Sequence, residues 1–304
     1  MTDETLLPPD DQADDQIHAG SSRRPALVLV STPIGNLQDF SVRGVACLRE
    51  ADGILCEDTR TSSRLLAAHG IKTKLIALHE HNEDARTPGL IAAMQKGAQY
   101  ALISDAGTPL VSDPGYRLTR AAIAAGLLIS GVPGANAAIL ALTLSGLPPH
   151  PFLFAGFLPP KATARLAAFA GFRAAEKAGL RATLIFYEAP HRLAASLADA
   201  ASIFGDRPAA VARELTKLFE EIRRAGLNEL AAHYATHEPR GEICLVIGPA
   251  GEELPDEADL DDAIRAALRQ GSLKDAVAAV MAATGLPRKQ IYARALALQS
   301  ASVG

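Results

Sequence analysis

The sequence predicts an α/β protein made of two α/β domains and a small C-terminal helical appendage. Three observations support this fold class. The chain has 304 residues, which exceeds what one ordinary domain needs. Short apolar runs rich in β-formers alternate with longer stretches rich in Ala and Leu, as they do in α/β folds. Breaks rich in turn-forming residues at 147–151 and 249–258 divide this alternation into three parts.

The first α/β domain is predicted over residues 25–147. Its strands are continuous apolar runs, which is typical of a parallel sheet covered by helices on both faces. The predicted strands are 26–31, 53–57, 74–78, 100–104 and 127–130. The predicted helices are 42–50, 60–69, 85–96, 115–125 and 135–145.

The second α/β domain is predicted over residues 152–248. It has more strands per helix than the first domain, so we expect a mixed sheet. The predicted strands are 152–157, 183–187, 209–213, 218–224 and 243–247. The predicted helices are 161–178, 190–203 and 226–235.

The two ends of the chain differ from these domains. Residues 1–24 are polar and acidic, and we predict a disordered acidic tail. The appendage, residues 258–300, suits either a helix-turn-helix or a plain helical packing element. Its three predicted helices are 259–269, 273–284 and 287–298.

Composition excludes several classes of protein. Apolar residues make up 48% of the chain, which is enough for sizeable aliphatic cores. The three cysteines show no metal or redox spacing, which favours a reducing compartment. No signal peptide and no bilayer-length apolar run is visible. We therefore expect a cytoplasmic protein with no membrane partner.

Charge is distributed unevenly along the chain. The net charge is −4, but residues 1–22 hold six acids and no Lys or Arg, so the remainder carries −4 + 6 = +2. Residues 263–304 hold six basic residues against Asp275 alone, a local charge of +5. A mildly basic body with a basic end is compatible with an RNA partner.

Ligands of open α/β sheets bind beyond the carboxyl ends of the strands, so the loops after the strands are the candidate site. The loop Ser31–Asn36 lacks both the G-x-G-x-x-G pattern and a P-loop lysine, which argues against the commonest cofactors of such sheets. The segment Glu57–Thr61 groups two carboxylates with a guanidinium, which suits a polar substrate or a base, and also a helix N-cap. The segment His79–Glu83 has no third ligand at metal spacing, so a polar loop is favoured over a metal site.

The loop Ser104–Gly115 is the most informative segment. It puts Asp105 directly at a strand end, where a carboxylate can accept hydrogen bonds from ribose hydroxyls or pair with an amino group. Gly107 allows close approach of the backbone to a ligand. The segment Gly131–Ala138 opens the following helix with small residues, on which a flat ligand can lie. Together these loops predict a ligand site at the edge of the first sheet.

These segments together resemble the 16S ribosomal RNA cytidine 2′-O-methyltransferase family (ribosomal small-subunit methyltransferase I) of the tetrapyrrole-methylase superfamily. The resemblance covers about 26–248, and the C-terminal helices resemble the helix-turn-helix appendage of the same family. The motifs that carry it are STPIGNLQDFSVR, EDTRTSSRLL, HEHNE, SDAGTPLVSDPGYRL, GVPGANAAILAL, FYEAPHR, ARELTKLFEE and GEICLVIG.

The resemblance implies a class III S-adenosylmethionine-dependent methyltransferase that holds S-adenosylmethionine in a cleft between its two α/β domains. It implies a homodimer, no metal, and 16S rRNA within the small ribosomal subunit as partner. The expected cofactor-binding residues are Ile34, Ser104, Asp105, Thr108, Asn136, Ala137, Glu188 and Leu215.

The implied reaction is methylation of a cytidine ribose 2′-oxygen in the decoding centre. A 2′-hydroxyl is a weak nucleophile, so a positioned base helps by taking its proton. The candidate catalytic residues, which the sequence leaves unranked, are Glu57, Asp58, Glu188 and His191. The candidate substrate-binding residues are Asn36, Arg60, Arg192 and Arg213, the arginines for phosphates and Asn36 for the ribose.

Two other functions stay open at this point. One is a tetrapyrrole methyltransferase of the precorrin or uroporphyrinogen type. The segment Thr32–Asn36 argues against it, because those enzymes carry a G-x-G-P-G turn there. The other is a non-catalytic RNA-binding assembly factor, which the intact Asp105 loop argues against.

Overall fold

The computed structural model describes residues 24–251, 257–284 and 286–301. The chain divides between Gly248 and Pro249 into two compact units. Both predicted sheets lie in the first unit, and the predicted boundaries between the α/β domains stay a prediction. The predicted acidic tail lies outside the described residues except for Arg24.

The first sheet has five parallel strands in the order β3-β2-β4-β1-β5. Leu27 at the start of β1 lies between Tyr100 of β4 and Ile129 of β5. The strands are β1 (Leu27–Val30), β2 (Gly53–Cys56), β3 (Leu75–Ala77), β4 (Tyr100–Leu102) and β5 (Ile129–Val132).

Helices cover both faces of this sheet, as its continuous apolar strands predict. On one face Leu48 and Leu66 of the first two helices pack with Ile54. On the other face Met94 and Leu118 of the next two helices pack with neighbouring strand residues. These helices are α1 (Val42–Glu50), α2 (Thr59–Ala68), α3 (Glu83–Gln95) and α4 (Tyr116–Ala124).

The second sheet is mixed and has the order β6-β7-β10-β8-β9. β6 and β7 are parallel, whereas β10 is antiparallel to β7 and to β8. The strands are β6 (Phe152–Phe157), β7 (Thr183–Glu188), β8 (Pro208–Arg213), β9 (Glu221–Gly226) and β10 (Ile243–Ile247). One face packs on α6 (Ala162–Lys177), α7 (Leu193–Phe204) and α8 (Leu227–Thr236).

Helix α5 (Ala137–Ser145) joins the two sheets. It follows β5 of the first sheet, and its Ala138, Ala141 and Leu142 pack against the other face of the second sheet. Its sequence, AAILALTLS, is apolar at nearly every position, which is typical of a helix enclosed by other elements. Helix α5 therefore connects the first sheet directly to the packed face of the second.

The described residues of the second unit form three helices, as predicted: α9 (Glu257–Leu268), α10 (Leu273–Thr284) and α11 (Arg288–Ala301). They share a small aliphatic core that includes Ile264, Val280 and Ile291. Among the described residues, no helix has both the length and the apolar character needed to cross a membrane.

Two predicted strands are displaced in the structure. β5 pairs with β1 through Gly131 and Val132 and begins two residues later than predicted, because pairing with β1 sets its register and glycine gives no strand signal. β9 begins at Glu221 because Glu214 and Thr216 adopt left-handed φ values of 50° and 66°. Leu218 and Phe219, which were predicted to lie in this strand, consequently lie in an exposed turn.

Candidate active site

A cavity of about 370 Å³ lies between the carboxyl end of the first sheet and the facing edge of the second. The first sheet contributes the loops that follow β1, β4 and β5. The second contributes the ends of β6, β7 and β8 and the start of β10. Both the volume and the position at strand ends are typical of sites for small molecules.

Seven of the eight residues expected to bind a cofactor line this cavity: Ile34, Asp105, Thr108, Asn136, Ala137, Glu188 and Leu215. The eighth, Ser104, is buried beside the cavity, and its hydroxyl donates to the carbonyl oxygens of Gly107 at 3.0 Å and Ala106 at 3.2 Å. Ser104 therefore shapes the loop. The cofactor-binding roles themselves stay predictions.

Hydrogen bonds tie the loop after β4 to the loops after β1 and β5. Thr32 and Gly107 exchange backbone hydrogen bonds of 2.9 and 3.1 Å. The Thr108 hydroxyl donates to the carbonyl oxygen of Ala135 at 3.1 Å. Gly107 has φ +80°, a conformation that favours glycine. Three separate loops thus form one continuous wall of the cavity.

Backbone strain concentrates at this cavity. Among the described residues, the non-glycine residues with left-handed φ are Leu110, Ser112, Glu214 and Thr216. They lie in the loops after β4 and β8, and both loops contribute to the lining. Such strain persists only where surrounding structure enforces it, and it clusters at functional sites.

Glu188 is a cavity carboxylate whose oxygens are already engaged. Oε1 accepts from the backbone N–H of Ala189 at 2.7 Å and from the Arg192 guanidinium at 2.6 Å. Oε2 accepts from the Ser196 hydroxyl at 2.5 Å. Because its charge is offset by Arg192 and both of its oxygens accept hydrogen bonds, Glu188 is a weaker base than an unpaired carboxylate. The role of Arg192 toward a phosphate stays a prediction.

Asp113, which sequence alone did not distinguish from its neighbours, also lines the cavity. Among the described side chains, no cation forms an ion pair with it. Burial and the nearby Glu57 carboxylate raise the pKa of Asp113 to about 6, and the Ser104 hydroxyl partly opposes that rise. A carboxyl group with a pKa near neutrality is suited to proton transfer.

Glu57 and Asp58 lie outside the lining of the cavity, next to it. Burial and the Asp105 carboxylate raise the pKa of Glu57. Asp58 caps helix α2 and accepts from Arg60 at 2.8 Å, and these hydrogen bonds lower its pKa to about 2. Asp58 is therefore a weak base. Its backbone N–H donates to Asp105 at 3.2 Å, which links this segment to the cavity.

The remaining candidates also lie outside the lining. Asn36 caps a short 3₁₀ turn, with its side chain accepting from the Gln38 N–H at 3.0 Å. Arg213 pairs with Glu221 at 3.0 Å. His191 is exposed in the 3₁₀ turn Pro190–Arg192 that follows β7. Their roles toward a substrate stay predictions.

Comparison with known proteins identifies relatives along most of the chain. The family model described as tetrapyrrole (corrin/porphyrin) methylases matches residues 26–231. A second model, described as the RsmI C-terminal HTH domain, matches residues 255–299.

Two curated relatives have nearly the same length as this chain. The ribosomal RNA small subunit methyltransferase I of Mesorhizobium japonicum is 47% identical, over 91% of this chain and 94% of that protein. The protein of the same name from Pseudomonas aeruginosa is 45% identical, over 91% of this chain and 98% of its own length.

Solved structures with the same fold are more distant in sequence. The uroporphyrin-III-C-methyltransferase of Thermus thermophilus has a TM-score of 0.52 at 23% identity, over 74% of this chain and 94% of that one. A diphthine synthase has a TM-score of 0.56 at 16% identity, over 73% of this chain and 90% of that one. At these identities the likeness concerns the fold alone.

Proposed function

Because the chain belongs to the tetrapyrrole methylase family, and within it to the ribosomal RNA small subunit methyltransferase I family, we propose that it methylates a cytidine ribose 2′-oxygen in the decoding centre of 16S rRNA, with S-adenosylmethionine as the donor. The observation that carries this proposal is the cavity between the two sheets. Seven residues expected to bind the donor line it together, although they come from loops far apart in sequence.

The residues of the cavity fit S-adenosylmethionine. The donor combines a flat adenine ring and a ribose with a cationic sulfonium, an ammonium group and a carboxylate. Ile34, Ala137 and Leu215 offer apolar surface, and Asp105 and Asp113 offer carboxylates in a partly desolvated setting. An electrostatic attraction to a cation is strengthened in such a setting. We assign these five residues to donor binding or to its immediate surroundings.

When bound, S-adenosylmethionine supplies a methyl group on a cationic sulfur atom. The protein has to align the acceptor oxygen with that methyl group and keep water away. We assign the base to Asp113, whose carboxylate would take the proton of the 2′-hydroxyl as the methyl group passes from the donor's sulfur atom, which leaves as a neutral thioether, to that oxygen. The engaged oxygens of Glu188 and the low pKa of Asp58 make both weaker candidates.

The helical unit at the C-terminus supports the choice of RNA as the acceptor. Arg265 and Arg294 pair with Asp261. Other cations of this unit are exposed to solvent: Arg269, Lys274, Arg288 and Lys289. We propose that these side chains contact rRNA phosphates, which would make binding strongly dependent on salt.

We include a homodimer and a cytoplasmic location in the proposal. Leu218 and Phe219 in the exposed turn before β9 are 90% and 68% exposed, which leaves apolar surface for a second copy of the chain. A light-scattering mass equal to the 31.8 kDa of one chain would exclude the homodimer.

Substitution of Gly107 tests the cavity wall. In Gly107→Ala, the new Cβ would lie 3.1 Å from Cγ2 of Ile34, and the left-handed φ would cost about 1–2 kcal/mol. We expect lower stability to urea and weaker binding of S-adenosylmethionine in calorimetry. Gly126→Ala is the matched control, because Gly126 has φ +68° with open space around its Cβ position. Equal donor affinity in both variants would contradict the placement of the donor.

The class of acceptor can be tested with labelled S-adenosylmethionine and small ribosomal subunits from cells that lack the gene. We expect label in rRNA, and none with subunits from cells that carry the gene, because their site is already methylated. Label on a uroporphyrinogen-type acceptor instead would favour the tetrapyrrole alternative. Donor binding without transfer to either acceptor would contradict the assigned reaction, and absence of donor binding would favour an assembly factor.

A further inference from the structure

Strand β6 carries an irregularity beside the cavity. Its residues pair in register with β7 from Phe152 to Phe154, and the register shifts between Phe154 and Phe157. Gly156, inside the irregularity, has φ +71°. Bulges of this kind re-aim a side chain and are common next to active sites. Here the result is that Phe157 at the end of the strand lines the cavity.

The ring of Phe157 is supported from within the protein and open to solvent. It packs edge-on against Tyr187, with 5.4 Å between ring centroids, and Phe154 supports Tyr187 from a second side at 4.8 Å. Nevertheless 59% of Phe157 is exposed. A large apolar ring that is fixed in place and left uncovered at a ligand site is suited to bind a flat partner.

Phe157 also lies close to the loop that carries Asp113. A Cβ at its neighbour Gly156 would lie 3.3 Å from the Ser112 hydroxyl oxygen. The strand that carries the ring therefore lies against the loop that carries Asp113, and both residues line the same cavity. Because the ring is 59% exposed, an acceptor that arrives from solvent can reach it.

We propose that Phe157 is an aromatic platform on which the base of the acceptor nucleotide stacks when its ribose enters the cavity. This inference rests on the proposed RNA methyltransferase function. Proteins that recognise unpaired nucleotides commonly stack the splayed base on an aromatic side chain. Stacking would orient the ribose next to Asp113 without any hydrogen bond to the base.

The test compares Phe157→Ala, Phe157→Leu and Phe157→Tyr in steady-state methylation of small ribosomal subunits. We expect Phe157→Ala to lower kcat/KM for the subunit by about 5- to 150-fold, the range for loss of one base stack. Phe157→Leu should lose nearly as much because it lacks a π face, and Phe157→Tyr should retain most of the wild-type value. All three should bind S-adenosylmethionine with a dissociation constant within twofold of wild type.

Phe152→Ala is the matched control, because Phe152 is an exposed phenylalanine on the same strand that lies outside the lining. A kcat/KM of Phe157→Ala within twofold of that control would overturn the inference. So would an equal weakening of donor binding, since the ring would then serve the donor. If the wild-type protein transfers no methyl group to subunits, the proposed function has failed and the platform fails with it. Methylation by the wild-type protein therefore tests the proposed function, and a loss of methylation confined to the Phe157 variants tests the platform.

Discussion

Asp113→Asn is expected to lower kcat for methyl transfer by about 10²- to 10⁴-fold, the usual contribution of a positioned general base. Asparagine has nearly the same shape but cannot accept the proton of the 2′-hydroxyl at physiological pH. The carboxylate also offsets part of the donor's positive charge, so we expect a modest increase in the dissociation constant of S-adenosylmethionine. Single-turnover kinetics with small ribosomal subunits separates these two effects.

The dependence on pH gives this prediction a second readout. Asp113 must be ionised to accept a proton, so kcat/KM for the donor should fall as the pH decreases through about 6. In Asp113→Asn this descending limb should be absent. A bound sulfonium favours the ionised carboxylate, so the limb should lie at lower pH when the donor is saturating.

Ionisation of Asp113 should support activity but lower the stability of the folded protein. Its pKa is raised in the folded protein from 3.8 to about 6, so the folded state binds more protons between these values. The stability contributed by this group is present below pH 3.8 and is lost as the pH rises through 6. We therefore expect Asp113→Asn to have a higher Tm than wild type at pH 7–8.

Glu57→Gln is the matched control for the assignment of the base. Burial is the main cause of the raised pKa of Asp113, and the Glu57 charge adds to it. Removing that charge should therefore move the limb in kcat/KM to lower pH while kcat is largely retained. If Glu57→Gln instead removes the limb and most of kcat, and Asp113→Asn does not, then Glu57 is the base.

Arg207→Met is expected to destabilise the protein by about 3–5 kcal/mol, the usual cost of breaking a buried ion pair. Arg207 and Glu176 are 6% and 4% exposed. They form a bidentate pair with Nη1–Oε1 and Nη2–Oε2 distances of 2.6 and 3.1 Å. The guanidinium also lies 4.8 Å from the centroid of the Phe204 ring. Loss of Arg207 would leave the Glu176 carboxylate buried without its bidentate partner.

Urea denaturation measures this effect, with Arg117→Met as the control. Arg117 and Asp84 form an exposed pair, with side chains 47% and 76% accessible, so its loss should change stability by about 0–1 kcal/mol. The double variant Arg207→Met/Glu176→Met should recover most of the loss because it removes the buried carboxylate together with its bidentate partner. Arg173 stays 3.4 Å from Glu176 in the single variant, so equal destabilisation by the single and double variants would show that packing, rather than the loss of the bidentate partner, dominates.

Much of the fold follows from the periodicity of the sequence. Continuous apolar strands that alternate with helices predicted the parallel first sheet, and this prediction is confirmed. The bounds of β5 and β9 were not predicted correctly from the sequence. Pairing with β1 sets the bounds of β5, and the left-handed residues Glu214 and Thr216 shape the turn before β9. Neither effect is visible in local hydrophobicity.

The position of the site was predictable for a different reason. Loops at the carboxyl ends of parallel strands must meet at one edge, so the turn-rich segment containing Asp105 indicated where a ligand site would form. Which carboxylate is available was not predictable. The sequence does not show whether the carboxylate of Glu188 or that of Asp113 is free of partners. The structure shows that Arg192 and Ser196 bind the carboxylate of Glu188. Phe157 was missed because strand alternation does not reveal the irregularity at Gly156.

The chemical position of the transferred methyl group tests the central claim most directly. Small ribosomal subunits from cells that lack the gene would be labelled with the purified protein, and their rRNA hydrolysed with alkali and analysed by mass spectrometry. A 2′-O-methyl group blocks alkaline cleavage at its own nucleotide, so we expect the label in one alkali-stable dinucleotide that begins with cytidine. Label in an ordinary mononucleotide would mean methylation of a base, and would contradict the assignment of the ribose oxygen as acceptor.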